Sequence, residues 1–195
     1  MPTGSQAAES AALEFAPYSL KNTATYPNKT VVEAEDFFYS TDTVTRKVTA
    51  NSTGSFVVGG KIADGATATY DEKEGAIYVD GANGVNYTVR LTKKDNVQFF
   101  ASEEDMLGGK NALESISGAK YWTTEVSDLN VGDSAYFAVS ASTSKKASEL
   151  YESAKNGSST AKAKKRLKNL PQEWTDYISS HGDVDKYIKN IPSGK

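Results

Sequence analysis

Val85-Asn86-Tyr87-Thr88-Val89-Arg90-Leu91-Thr92 alternates apolar and polar side chains over four repeats. Successive side chains of a strand point to opposite faces, so this period predicts a half-buried antiparallel strand. Asp80-Gly81-Ala82-Asn83-Gly84 lies just before it and Ala76-Ile77-Tyr78-Val79 before that. Asp-Gly and Asn-Gly tolerate positive φ, so the two apolar runs read as a tight hairpin.

The same signals continue toward the N-terminus. Thr43-Val44-Thr45-Arg46-Lys47-Val48-Thr49 is rich in β-branched residues. Phe56-Val57-Val58 closes on Gly59-Gly60, and Ala66, Ala68 and Tyr70 alternate with threonines. Short strands at a spacing of roughly ten residues, with Gly-rich turns, predict an antiparallel β-sandwich or a barrel-like core. Toward the C-terminus, Ser102-Glu103-Glu104-Asp105 predicts a helix N-cap with acidic residues in its first turn, stopped by Gly108-Gly109. Residues 111–116 read as another short turn of helix. Strands resume at Lys120-Tyr121-Trp122-Thr123-Thr124-Glu125-Val126 and Ala135-Tyr136-Phe137-Ala138-Val139.

The last residues change character. Ala147, Leu150, Tyr151 and Ala154 recur at helical spacing and Asn156-Gly157 ends that run. Ala163, Leu167 and Leu170 line a next helix before Pro171. Trp174, Tyr177 and Ile178 mark a third ended by His181-Gly182, and Val184, Tyr187 and Ile188 a fourth. The expected organisation is a flexible N-terminal arm (1–16), a β-rich core (17–144) and a helical C-terminal appendage (145–195). Helices this short are not stable alone, so their apolar faces must dock on the core or on a neighbour.

Composition restricts the chemistry. The chain has 195 residues, no Cys and one His. Disulfides, thiolate nucleophiles and Cys-ligated metals are excluded, and a multi-His metal site is impossible. No dinucleotide or phosphate-loop fingerprint occurs, and no cofactor is expected. The N-terminal residues lack a basic and apolar signal pattern, and no stretch reaches the roughly 18 apolar residues of a membrane span. His181, at an expected helix end, reads as a structural residue that meets the negative pole of the helix. The acidic clusters Glu33/Glu35/Asp36, Asp71/Glu72/Glu74 and Glu103/Glu104/Asp105 read as solvated surface in place of catalytic pairs.

Charge is split along the chain. Residues 145–195 hold 11 Lys and Arg against 6 Asp and Glu, a net +5, and residues 1–144 hold 11 against 19, a net −8. The run Lys162-Ala163-Lys164-Lys165-Arg166-Leu167-Lys168, with Trp174 beyond it, is the candidate contact surface for an acidic protein neighbour. Nucleic acid is the lesser alternative for it. These features make the chain a non-catalytic assembly subunit on first reading, with protein partners or further copies of itself. A virion component such as a capsid decoration or tail protein, in an extracellular particle, would have this profile.

A second reading starts from the aromatics. Phe37-Phe38-Tyr39, Phe99-Phe100 and Tyr121-Trp122 are adjacent, so in a strand one of each pair leaves the core, and Tyr121 and Trp122 are candidates for a sugar-stacking platform. Val31-Val32-Glu33-Ala34-Glu35-Asp36-Phe37 resembles the opening strand of β-sandwich carbohydrate-binding modules. That resemblance implies a polysaccharide partner and, through Glu33 or Glu35, a structural calcium. The Gly-Asp-aromatic strand found later in that family has no clear counterpart here.

Overall fold

A computed structural model describes residues 8–52, 55–127 and 129–181. The strands are β1 (Ser10–Ala16), β2 (Ser19–Thr25), β3 (Val31–Phe38), β4 (Thr43–Ala50), β5 (Phe56–Lys61), β6 (Thr67–Asp71), β7 (Ala76–Asp80), β8 (Asn86–Arg90), β9 (Asp95–Phe100), β10 (Tyr121–Val126) and β11 (Ser134–Ser142). The helices are α1 (Glu103–Gly108), α2 (Tyr151–Ser158) and α3 (Thr160–Ser180), with a 3-10 turn at Ala147–Leu150 before α2. Eight strands form one sheet in the order β1-β2-β3-β4-β11-β8-β7-β6, and three form another in the order β5-β10-β9. Every strand pairing among the described residues is antiparallel, and neither sheet closes on itself, so the sandwich expectation holds and the barrel does not.

The hairpin around residues 80–84 forms as read. Val79 pairs with Tyr87, and Gly84 takes a φ of 79° that a side chain with a Cβ rarely adopts. The α1 signals also hold. Ser102 Oγ accepts from the Asp105 N–H at 3.2 Å, and Gly109, at φ 61°, ends the helix in the left-handed region.

The main core lies between the two sheets. Val48, Val79, Val89, Leu91, Ile77 and Phe137 from the large sheet meet Phe56, Phe99, Trp122 and Val126 from the small one. The outer face of the large sheet carries small, hydroxyl-bearing residues instead, and the helices lie on it. Thr45 Oγ1 donates to the Gly157 carbonyl at 2.7 Å, Thr88 Oγ1 donates to the Ala147 carbonyl, and Thr43 Oγ1 lies 2.6 Å from Ser140 Oγ. These buried hydroxyls find partners where helix meets sheet, which offsets their desolvation, whereas the buried Tyr136 hydroxyl has none. Phe37 and Tyr136 pack there against Ala163 and Leu170 of α3. The C-terminal helices thus form a third layer docked on the core.

Three local expectations change. Residues 10–16, read as part of a flexible arm, form β1, because the turn after Ala16 folds them back on β2 with Phe15 opposite Leu20. Residues 111–116 form no helix. The second and third expected helices are one, since α3 runs through Pro171. Beyond Leu170 every residue of α3 is exposed, so the ring meets solvent and no packed neighbour. The fourth expected helix, at 184–188, lies outside the described residues.

Gly157 is not a helix stop but a contact point. A Cβ there would lie 2.7 Å from Thr43 Cγ2 and 3.2 Å from Ala138 Cβ. Gly157→Ala should push α2 off the sheet and cost about 1–3 kcal/mol, read as a lower urea midpoint. Asp42 supplies a pH dependence. Ser40 Oγ and Thr43 Oγ1 donate to its carboxylate at 2.7 and 2.8 Å, and these bonds hold its pKa below the ordinary value. The native pKa lies below the unfolded one, so Asp42 stabilises the fold above the unfolded pKa. That contribution is lost as pH falls through the lowered native value. Asp42→Asn should therefore lose less stability than the parent when urea midpoints are compared from neutral pH to below 3.8.

Candidate functional site

The small sheet covers only part of the inner face of the large one. One row of cross-strand neighbours shows where the cover stops: Ile77 is 0% exposed, Val89 3%, Val139 39%, Val44 37% and Phe38 63%. Phe15, Leu13 and Leu20, on the same face of β1 and β2, are also exposed. The uncovered face meets the side of β5 in two adjoining hollows of about 340 and 420 Å³. Arg46, Gly59, Gly60 and Lys61 line both, so the two make one open trough.

Its centre is an ion pair set by register. Asp36 and Arg46 are direct partners across β3 and β4, and both point inward. Arg46 Nε and Nη2 each donate to one oxygen of Asp36 at 2.7 Å. This two-pronged geometry fixes the guanidinium against the carboxylate, and the hydrogen bond to Asp36 raises the Arg46 pKa further above its ordinary value. Both partners keep solvent access, with side-chain exposures of 48% for Arg46 and 27% for Asp36.

Aromatic side chains flank the pair. Trp122, on β10, lies opposite Gly60 of β5, and a Cβ on Gly60 would sit 2.8 Å from the indole Nε1. The glycine lets the indole lie across the strand and reach the trough. Tyr87 closes the same end, its hydroxyl accepting from the Ala63 N–H at 3.0 Å and donating to the Lys61 carbonyl at 3.3 Å. Burial pushes its pKa up, so it remains a neutral phenol that fixes the end of β5. Tyr121 and Tyr26 line the other end, with Asn22, whose carboxamide oxygen is buried and unpartnered.

Tyr121 and Trp122 both border the trough, Trp122 as a buried core residue and Tyr121 half-buried. Of the other aromatic pairs, Phe38 leaves the core while Phe99 and Phe100 are both buried. Glu33 and Glu35 share the opposite face of β3. Glu33 pairs with Lys21 at 3.8 Å, and Glu35 accepts from Ser19 Oγ at 3.2 Å. Lysines at 21 and 47 flank Glu35 in the cross-strand row. No group of three or more His, Cys, Asp or Glu that could hold a metal ion occurs among the described residues.

The basic run lies on α3. Arg166 turns inward, pairing with Glu173 and donating to the Phe38 carbonyl at 3.4 Å, so it ties the helix to β3. Lys162 donates to Asn156 Oδ1 at 2.6 Å, and Lys164, Lys165 and Lys168 face solvent. Trp174 stacks with Tyr177, which in turn stacks on His181 at the helix end. The trough's key feature, Arg46 with Asp36, had no local signal. Only the β3–β4 register brings the two together.

Among the described residues no helix is long and apolar enough to cross a membrane. No family model and no curated protein matches the chain. Solved structures similar to part of the chain include three lyases. A heparan sulfate lyase HepC mutant from Pedobacter heparinus and the HepC lyase itself each match with a TM-score of 0.44 at 15% identity, over 72% of this chain and 22% of theirs. Heparinase III matches with a TM-score of 0.40 at 9% identity, over 71% of this chain and 23% of its own. The chain thus spans less than a quarter of the length of these neighbours. The particle-subunit expectation gains no support from the comparisons. A likeness at this level assigns neither family nor activity.

Proposed function

We propose that this chain is a non-catalytic binding module that holds a polysaccharide along the open trough. The observation that carries the reading is the solvent-accessible, two-pronged Arg46–Asp36 pair in an open-sided groove that aromatic side chains also line. A sugar ring presents an apolar C–H face and a rim of hydroxyls. Aromatic surface suits the first, and planar groups with fixed donors and acceptors suit the second. Because Arg46 and Asp36 are already locked together, little side-chain entropy is lost when a ligand arrives. Among the described residues Asp36 is the one carboxylate lining the trough, and glycoside hydrolysis by paired acids needs two across the scissile bond. That chemistry supports retention of a glycan over its cleavage.

Affinity electrophoresis and calorimetry against a panel of soluble neutral and acidic polysaccharides test the reading. At least one should retard the protein, and Arg46→Ala and Tyr121→Ala should each weaken that binding at least tenfold. Lys47→Ala, on the opposite face of β4, should leave it unchanged. Silence across the panel, or equal binding by all three variants, would overturn the proposal.

A further inference from the structure

The outer edge of the large sheet is bare at β1. Ser10-Ala11-Ala12-Leu13-Glu14-Phe15-Ala16 pairs with β2 on one side, and among the described residues nothing pairs with its other side. Six of its seven residues are exposed, with Leu13 at 56% and Phe15 at 78%. Soluble proteins protect such edges with lysine, proline, a bulge or a covering helix, because every second residue turns its N–H and C=O outward. Within the strand, β1 has no lysine and no proline, and its pairing with β2 runs without interruption. Its one charge, Glu14, lies on the face opposite to Leu13 and Phe15, across from Lys21 of β2.

We propose that β1 is the interface of a two-fold dimer, in which β1 of a second copy of this chain pairs antiparallel with it and joins the two sheets edge to edge. The strand's own sequence selects the partner and the register. Directly opposed residues in an antiparallel pair must share a face, so a two-fold axis normal to the sheet passes beside a single residue. An axis at Glu14 opposes two carboxylates. An axis at Ala12 opposes Phe15 to Glu9 of the other copy. An axis at Leu13 opposes Leu13 to Leu13, Ala11 to Phe15, Ala12 to Glu14 and Ser10 to Ala16. Only this register overlaps all seven residues, sets small beside large on both faces and brings no like charges together. It also joins Leu13, Phe15 and Leu20 of both copies into one apolar stripe.

Sedimentation velocity on the full chain, from micromolar to millimolar concentration, tests the dimer. The expected species has twice the 20.9 kDa mass of the chain. Leu13→Lys places two ammonium groups across the axis and should raise the dissociation constant at least tenfold. Val131→Lys, a substitution at another exposed apolar residue, should not. The chain has no Cys, so Leu13→Cys gives a direct reading of register. It should form a disulfide-linked dimer on mild oxidation, and Val131→Cys should not. Far-UV circular dichroism checks that each variant folds. A parent that stays monomeric throughout overturns the proposal. So does a dimer that survives Leu13→Lys and leaves Leu13→Cys uncrosslinked.

Discussion

The two sheets differ in width, and the rest of the structure follows from that mismatch. Strands lie about 4.8 Å apart, so eight span about 34 Å and three only about 10 Å. A three-stranded layer cannot cover an eight-stranded one. Burial is therefore complete where β7, β8 and the near ends of β4 and β11 face β5, β9 and β10, and falls away toward Phe38 and Phe15. On the other face, α2, α3 and the 3-10 turn lie over the middle strands β4, β11, β8 and β7. Helices thus close the middle of one side of the large sheet, and the other side is half open.

The open half is not simply an unfilled core. Its middle holds a charged pair where a sandwich interior would place two apolar side chains. Burying that pair under a complete second layer would cost several kcal/mol of desolvation per ion. Left in contact with water, Arg46 and Asp36 keep their hydration and still hold a fixed geometry. The same residues that make a wider small sheet unfavourable make the trough a polar, preorganised surface. Gly60 contributes by leaving room for the Trp122 indole to cross β5, and so places an aromatic edge beside the ion pair.

The parts legible in the sequence were those governed by short-range rules. The period-two pattern of β8, the Asp-Gly and Asn-Gly hairpin and both ends of α1 follow from residues within a few positions of one another. The docking of Ala147, Leu150, Ala154, Ala163 and Leu170 was also legible, since that apolar face required a surface, whereas Trp174, Tyr177 and Ile178 stay exposed. The trough was not. Asp36 sits in an acidic run whose other members, Glu33 and Glu35, face the opposite way, and only pairing with β4 distinguishes it. β1 was hidden for a related reason. Ser10-Ala11-Ala12-Leu13-Glu14-Phe15-Ala16 is small and mixed in character, and it becomes a strand because β2 supplies an edge, not by its own propensity. Pro171 misled in the opposite sense, as a helix-breaker tolerated where the helix has left the sheet.

The incomplete inner layer is the claim on which the trough depends, and the absence of cysteine makes it directly measurable. Single cysteines at Val44, Val139, Val48 and Val89 would all replace inward-facing valines of the large sheet. Under native conditions a thiol reagent should modify Val44→Cys and Val139→Cys rapidly, while Val48→Cys and Val89→Cys should react only through unfolding. Equal protection at all four positions would mean that the inner face is covered after all, and would contradict the account.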